Sequence, residues 1–360
     1  MPTSIMQSMK VLGIETSCDE TAASVVEDGY NMLSNAVASS MDLHVQYGGV
    51  VPEVAARSHI EVILPVIQQA LADAQCQWPD IDAIAVTYGA GLAGSLLIGV
   101  MTARTLAIAH KKPLYAINHV EGHIYANFIT KTDLPGYQLP VKAPDFPLLA
   151  IIVSGGHSQL ALFRHHFDYT LLGQTQDDAI GEAFDKVAKM LGLPYPGGPS
   201  VAKAAQKGDP KAFKIPKAKM GKYDFSFSGP KTAVLRLAQV LVHEGYAFPS
   251  TKLSERLSDA QKADIVASFQ HVSIETIVEK AKLAYEEFQP RSVVIAGGVA
   301  ANQELRLQLT EAIPLPLSFP DPKLCTDNGA MIAALGCFKA KLNQTQADPN
   351  TLVIEPNLSM

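Results

Sequence analysis

The chain has 360 residues, of which 48% are hydrophobic and 18% are charged, and its formal net charge is −6. A chain of this length is too long for one hydrophobic core, so we expect a globular protein of at least two lobes. Dedicated nucleic-acid binders are usually basic. Because the net charge of this chain is negative, any contact with a polyanion must come from a local basic patch.

The sequence predicts a cytoplasmic protein. Its four cysteines include no CxxC pair, which is typical of free thiols in a reducing compartment. The N-terminus, MPTSIMQSMK, lacks a basic region followed by an apolar run, so we expect no signal peptide.

Two segments about half a chain apart share one pattern: an apolar strand, a short polar turn and a second apolar strand. They are residues 11–26 (VLGIETSCDETAASVV) and 148–163 (LLAIIVSGGHSQLALF). Backbone N–H groups that converge in such a turn can neutralise a phosphate, although an ordinary hairpin turn also uses glycine. The duplication predicts two similar lobes around one nucleotide cleft, which is the pattern of an α/β protein with an actin-like ATPase fold.

The segment between these hairpins predicts a helix over residues 53–75, where apolar residues recur every three or four positions. The apolar stretch 83–109 is long enough for a membrane span. Its glycine cluster and Arg104 favour a strand, a glycine turn and a buried helix instead. We therefore expect no membrane segment.

The proline-rich residues 134–147 predict a linker between lobes. On this division the first lobe covers residues 1–133. The second covers 148–324 and includes a helical, lysine-rich insertion at 178–260. A C-terminal helix within 325–345 is expected to pack back on the first lobe, and the polar tail after it is expected to be loose.

His119 and His123 lie four positions apart in NHVEGHIYA. On a helix both imidazoles would share a face and could reach one metal ion. Asp327, in CTDNGAMIA, could add a carboxylate, which often accompanies imidazole at zinc and iron sites. The alternatives are two packed core histidines and an aspartate that caps the last helix. Glu121 lies two positions from His119 and so does not reproduce the HExxH motif of zinc proteases.

Other residues could contact a ligand. The turn at residues 154–156 could cradle a phosphate, and Gly198 lies in a bent loop that would let a backbone approach a ligand closely. Asp185 on an acidic helix face and Asn302 after a Gly-Gly turn are further candidates. A solvated helix face and an ordinary strand–helix turn are the alternatives for these two residues.

The chain resembles the tRNA threonylcarbamoyladenosine transferase family of the bacterial TsaD type, whose proteins were formerly described as glycoproteases. The motifs that carry the resemblance span nearly the whole chain in family order. They are GIETSCDET (13–21), YGGVVPEVAAR (47–57), HVEGH (119–123), VSGGHSQL (153–160), GEAFDKVAKMLGLPYPGGP (181–199), DFSFSG-KT (224–232), AGGVAAN (296–302) and CTDNGAMIA (325–333).

The resemblance implies an actin-like fold of two lobes and transfer of a threonylcarbamoyl group. The donor would be threonylcarbamoyl-AMP. The acceptor would be the exocyclic amine of the adenosine just 3′ of the anticodon in tRNAs that read codons beginning with A. It also implies that His119, His123 and Asp327 hold one divalent metal ion, iron or zinc. The residues implied to contact the adenylate or its threonylcarbamoyl part are Ile152, Val153, Ser154, Gly155, Gly156, Asp185, Gly198 and Asn302.

The same resemblance implies partners: tRNA, a paralogue of the same fold (TsaB) and a small ATPase (TsaE). Seven lysines between residues 203 and 222 could contribute to tRNA binding or could form a solvated loop. No general base stands out, and Glu15 and Asp19 are the nearest candidates.

Three other functions compete with this interpretation. A metalloprotease would need a base beside a metal-bound water, and the HxxxH here lacks the correctly placed glutamate. A nucleotide-gated binding module would need a large peptide-binding domain after the two lobes. A small-molecule kinase of the same fold would commonly use magnesium held by oxygen ligands, which the His-His-Asp set does not favour.

Overall fold

The computed structural model describes residues 8–360. The first seven residues, on which most of the signal-peptide prediction rests, lie outside the described part of the chain. The described residues form two compact units. Unit 1 contains residues up to 143 together with 320–360, and unit 2 contains residues 144–319.

Strands and helices are interspersed along the chain, as in an α/β protein. The strands are β1 (Lys10–Glu15), β2 (Glu20–Glu27), β3 (Asn31–Met32), β4 (Ala36–Ser39), β5 (Ala83–Gly89), β6 (Leu114–Asn118), β7 (Lys131–Thr132), β8 (Leu148–Val153), β9 (Ser158–His165), β10 (Asp168–Gln174), β11 (Ser292–Ala296) and β12 (Leu317–Ser318). The helices are α1 (Met41–Val45), α2 (Pro52–Asp73), α3 (Ala93–His110), α4 (His119–Tyr125), α5 (Ile180–Met190), α6 (Gly197–Ala205), α7 (Ser228–Leu241), α8 (Asp259–Phe288), α9 (Gln303–Ala312), α10 (Pro322–Cys325) and α11 (Gly329–Lys341).

Unit 1 is built on a seven-stranded sheet in the order β6-β5-β1-β2-β3-β7, with β4 paired to β2. Strands β1 and β2 form an antiparallel hairpin in which Glu15 lies opposite Ala22. Strand β5 runs parallel to β1, and β6 runs parallel to β5. The carboxyl ends of these three strands therefore meet at one edge, which is where open α/β sheets usually bind ligands.

Helices cover both faces of this sheet. Leu12 and Ile14 of β1 join the buried cluster to which α2 and α3 contribute. Gly13 points to the opposite face because side chains alternate along a strand, and there it meets α11. A Cβ on Gly13 would lie 2.3 Å from the carbonyl oxygen of Gly329, so only glycine allows α11 to approach so closely.

Unit 2 repeats the hairpin in a five-stranded sheet ordered β10-β9-β8-β11-β12. Strands β8 and β9 are antiparallel, with Leu148 opposite Phe163 and Val153 opposite Ser158. Strand β11 runs parallel to β8, and every residue of β8 is buried, as in a strand covered on both faces. The duplicated hairpin predicted from the sequence is confirmed.

One helix of the described chain, α3, is long and apolar enough to cross a membrane when judged by length and composition alone. It packs against β5 and α2 of unit 1. Strand β5 ends at Gly89 and α3 begins at Ala93, so the expected order of strand, glycine turn and helix is confirmed.

The C-terminal tail differs from the prediction of a loose segment. The Arg104 guanidinium donates hydrogen bonds to three backbone carbonyls between residues 349 and 352. Farther along, the backbone N–H of Glu355 donates to the carbonyl of Tyr88 at 2.7 Å. The polar composition of the tail could not reveal this docking, because the partners lie more than two hundred positions away in the chain.

Candidate active site

Helix α4 begins where β6 ends and carries both candidate histidines. Asn118 caps its N-terminus, because its Oδ1 accepts hydrogen bonds from the backbone N–H groups of Val120 and Glu121. The short helix places His119 and His123 side by side, with ring centroids 4.7 Å apart. The expected helix with two histidines on one face is confirmed.

Asp327 lies just before helix α11 and close to both rings. Its Oδ1 is 3.5 Å from Nε2 of His119 and 3.2 Å from Nε2 of His123. The N-cap of α11 is Asn328, whose Oδ1 accepts a hydrogen bond from the backbone N–H of Met331 at 2.9 Å. The alternative that Asp327 is the capping residue is therefore wrong.

These three residues fit a metal ion. One ligand atom from each of His119, His123 and Asp327 lies within 4.8 Å of the other two, so the group could hold one ion. Two imidazoles with a carboxylate suit zinc or iron better than the all-oxygen sets that magnesium and calcium prefer.

The charge around this group also favours a cation. Burial alone would lower the pKa of His119, but the carboxylates of Asp327 and Glu15 raise it to about 9. The pKa of Glu20 is raised first by burial and then by repulsion from Asp327 and Asp19. Neighbouring carboxylates create a negative potential here, and a bound cation would neutralise it.

Two residues of the first hairpin turn contact the remaining ring nitrogen of His119. Nδ1 lies 3.1 Å from Oε2 of Glu15 and 3.0 Å from Oγ of Ser17. Burial raises the pKa of Glu15, but the adjacent His119 more than offsets this, so the pKa lies below its ordinary value. The side chain of Thr16 is also buried and donates to the carbonyl of Ser95. The side chains of Glu15, Thr16 and Ser17 are therefore engaged within unit 1.

Glu121 points away from the two histidines. Within the described chain its carboxyl forms no hydrogen bond with His119 or His123, and one of its oxygens is buried without a partner. Burial raises its pKa to about 7 despite the opposing effect of Lys339. The arrangement of a zinc protease, in which such a glutamate activates a metal-bound water, is therefore absent from these described residues.

Unit 2 presents an open glycine turn after β8. The Ser154 Oγ accepts a hydrogen bond from the backbone N–H of His157, which closes the turn. Gly155 and Gly156 are exposed, and a Cβ on either would have no heavy atom within 4 Å. The side chains of Ile152 and Val153 are fully buried in β8, so only their backbone atoms are available to a ligand.

The other predicted ligand residues of unit 2 organise helix N-termini. The carboxylate of Asp185 accepts the backbone N–H of Gly197 at 2.7 Å, at the start of α6. Asn302 caps α9 through Leu305 and donates to Oε1 of Gln270 at 3.0 Å. Gly198 has open space where a Cβ would stand. Sequence reasoning did not find these structural contacts.

The glycine turn at residues 154–156 is hydrogen-bonded to the start of α5 and packs against the residue that follows β11. The backbone N–H of Gly181, at the start of α5, donates to the carbonyl of Ser154, and the N–H of Glu182 donates to that of Gly155. Gly297 follows β11 with a φ of 90°, and a Cβ there would lie 2.5 Å from the carbonyl oxygen of Val153. The glycines at 181 and 297 thus permit the close packing that holds the exposed turn in place.

Comparison with known proteins identifies the family. A model of the TsaD family, tRNA N6-adenosine threonylcarbamoyltransferase, matches residues 31–334. The chain belongs to this family. Its members are transferases, and tRNA is the substrate that the family name implies. This finding confirms the family resemblance inferred from the sequence motifs.

Curated relatives that match over most of their length carry the same family name. A tRNA N6-adenosine threonylcarbamoyltransferase of Thermomicrobium roseum is 52% identical over 341 residues, which cover 92% of this chain and 92% of the relative. The corresponding protein of Symbiobacterium thermophilum is 49% identical over 332 residues, with 91% of each chain covered.

Solved structures support the actin-like fold. HypF from T. kodakarensis superposes with a TM-score of 0.57 over 95% of this chain and 49% of that chain, at 16% sequence identity. A second structure, full-length HypF in its phosphate- and nucleotide-bound form, gives a TM-score of 0.54 at 13% identity. At this level of identity the likeness concerns the fold, and the predicted actin-like fold is confirmed.

Proposed function

We propose that the chain transfers a threonylcarbamoyl group from threonylcarbamoyl-AMP to the exocyclic amine of a tRNA adenosine. The acceptor is the adenosine just 3′ of the anticodon in tRNAs that read codons beginning with A. The observation that carries the proposal is the grouping of His119, His123 and Asp327 within 4.8 Å in a chain of this family.

The histidine and aspartate side chains would hold one divalent ion, iron or zinc. Such an ion would supply Lewis-acid polarisation of a carbonyl oxygen. The chain itself contributes the orientation of the ligands. Asn118 fixes the start of α4, and Asn328 fixes the start of α11, so that the two imidazoles and the carboxylate converge.

We assign adenylate binding to unit 2. The exposed turn at Gly155 and Gly156 offers backbone N–H groups without side chains in the way, and Gly198 is similarly open. Asp185 and Asn302 hold the helix N-termini beside Gly198 and after Gly298. We include Ile152 and Val153 through their backbone atoms and Ser154 through the turn that it closes.

The chemistry of the donor and the acceptor indicates which groups of the site matter most. The donor is a mixed anhydride, so the carbonyl carbon is already activated, and the bond to the phosphate oxygen breaks as the new C–N bond forms. The acceptor amine is a weak nucleophile because its lone pair is conjugated with the purine. Backbone donors that stabilise the departing phosphate would matter most, since loss of one preorganised donor typically costs about 10²–10³-fold in rate.

Five lysines in unit 2 are suited to tRNA phosphates. They are exposed and form no ion pair with other described residues, and we call them the unpaired lysines: Lys203, Lys207, Lys211, Lys214 and Lys219. Lys217 and Lys222 of the same segment instead pair with glutamates of α8. We propose that the unpaired lysines supply part of the tRNA contact, because phosphate binding depends on cations that are not already neutralised.

We further propose that the enzyme works in the cytoplasm with a paralogue of its own fold (TsaB) and a small ATPase (TsaE), while a separate synthase supplies the adenylate. These partners rest on the family resemblance alone. A pull-down with each purified partner would test them, and failure of both to bind the full chain would contradict this part of the proposal.

The proposed reaction can be tested with purified components. The chain, its partners, threonylcarbamoyl-AMP and unmodified tRNA would be incubated, and the tRNA digested and examined by mass spectrometry. We expect threonylcarbamoyladenosine. Absence of the product with competent partners would contradict the proposal, and casein cleavage or ATP-dependent phosphorylation of a small molecule would favour the protease or kinase alternative.

A further inference from the structure

Glu15 ends strand β1 and is completely enclosed. The parallel pairing of β1 with β5 sets Ile14 beside Val86, which brings Thr87 next to Glu15. The Thr87 hydroxyl donates to Oε2 at 2.5 Å, and the backbone N–H of Ser17 donates to Oε1 at 2.5 Å. Both oxygens of this carboxylate are therefore held in fixed directions by the sheet and the hairpin turn.

The same carboxylate faces His119. Oε2 of Glu15 lies 3.1 Å from Nδ1, and a carboxylate can only accept hydrogen bonds, so Nδ1 carries the proton. The Ser17 Oγ, 3.0 Å from the same nitrogen, can accept as well. In the neutral form of His119, a proton on Nδ1 leaves the lone pair on Nε2, the atom nearest to Asp327.

The second histidine lacks such support. Nδ1 of His123 is buried and has no hydrogen-bond partner among the described residues. Only one of the two imidazoles is thus fixed in both ring orientation and tautomer. Histidine ligands of metals usually donate their second N–H to a carboxylate or carbonyl, and this partner raises the basicity of the ligating nitrogen.

We propose that Glu15 is a positioning residue that holds His119 with Nε2 ready to bind a metal ion, an inference that rests on the proposed metal role of His119, His123 and Asp327. Glu15 does not touch the reacting atoms. Its burial and its three contacts also remove it from the candidates for a general base, because no oxygen is open to a substrate.

The first test measures Zn²⁺ affinity of the full chain after its metal has been stripped, by competition with a chromophoric chelator. Glu15→Gln should bind Zn²⁺ about 10–100-fold more weakly than wild type, the usual cost of removing such a partner. Thr87→Val, which removes one support of Glu15 without touching His119, should weaken binding by a smaller factor. Wild-type affinity in Glu15→Gln would overturn the proposal.

The control is Glu121→Gln. It makes the same substitution at a buried glutamate on α4 that has no hydrogen bond to either histidine. We expect its Zn²⁺ affinity to match that of wild type, and equal weakening in both variants would overturn the proposal. Thermal unfolding of the metal-stripped variants, compared with wild type, shows whether each remains folded.

The second test does not require metal. Nitrogen-15 NMR of histidine-labelled, metal-stripped wild-type protein, recorded at a pH above the pKa of His119, reports which ring nitrogen carries the single proton of the neutral imidazole. We expect His119, assigned by its loss in His119→Gln, to be protonated at Nδ1, and protonation at Nε2 alone would overturn the proposal. If wild type bound no Zn²⁺, Fe²⁺ or Co²⁺, the proposed metal role would fail, and the NMR result would still decide whether Glu15 orients His119.

Discussion

Replacement of Gly155 or Gly156 by alanine should weaken ligand binding without destabilising the fold. Both glycines are exposed, neither has a positive φ, and an added Cβ would have no heavy atom within 4 Å. Alanine therefore fits without strain. It also restricts the unfolded chain, so each substitution should raise the free energy of unfolding by about 0.4–1 kcal/mol.

The same methyl group should obstruct a phosphate that approaches the turn. Inserting a methyl group into a well-packed contact costs about 1–3 kcal/mol, which corresponds to about 5–150-fold in binding. We expect KM for threonylcarbamoyl-AMP to rise within this range, with a smaller change in kcat. Steady-state kinetics and urea denaturation of each variant measure the two effects independently.

Gly181→Ala is the matched control. Its Cβ would lie 2.7 Å from the Cα of Gly155, so this variant should lose stability because the backbone must shift. An unchanged KM in both Gly155→Ala and Gly156→Ala would show that the turn does not bind the donor. A loss of stability in these variants as large as that of Gly181→Ala would contradict the packing argument.

Three further predictions concern tRNA binding and stability. Neutralising the unpaired lysines to glutamine should weaken tRNA binding and flatten its salt dependence by about one unit of slope per lost phosphate contact, measured by filter binding across salt concentrations. His59 is buried, and burial lowers its pKa, so the unfolded chain binds a proton more readily. The contribution of His59 to the free energy of unfolding is therefore complete above about pH 6.5. As the pH decreases below this value, the free energy of unfolding should decrease by at most about 1.4 kcal/mol per pH unit, as measured by urea denaturation. Gly13→Ala should destabilise the chain by at least about 1–3 kcal/mol, because its Cβ would meet the backbone of α11.

Each of these predictions has a control. Neutralising Lys217 and Lys222, which are already paired with glutamates, should change tRNA affinity less, and equal effects would contradict the role of the unpaired lysines. A His59→Asn variant with the same pH dependence as wild type would contradict the role of His59. Wild-type stability in Gly13→Ala would show that α11 does not pack as described.

Local patterns were sufficient to predict much of the fold. The hairpins at residues 11–26 and 148–163, helix α2, and the two histidines on α4 follow from hydrophobic period and spacing within a short window. The residues alone suggested that Asp327 could join these histidines as a ligand, and the family resemblance implied it. Local sequence left open whether Asp327 was a cap or a ligand, and the structure assigns the cap to Asn328.

The hydrogen bonds that hold His119 and Glu15 in place could not be predicted, because they join residues that are distant in the sequence. Glu15 and His119 are separated by 104 positions, and Glu15 and Thr87 by 72, so no spacing rule connects them. Only the strand register of β1 and β5 reveals why Thr87 holds the carboxylate. The docking of the C-terminal tail on Arg104 escaped sequence reasoning for the same reason.

The most direct test of the central claim compares wild type with Asp327→Ala in the transfer reaction, with the metal content of each protein measured in parallel. Thr326→Ala, at the exposed neighbouring residue, is the control. We predict that wild type and Thr326→Ala contain the metal and form threonylcarbamoyladenosine, whereas Asp327→Ala remains folded but loses both. Full product formation by metal-free Asp327→Ala would contradict the account.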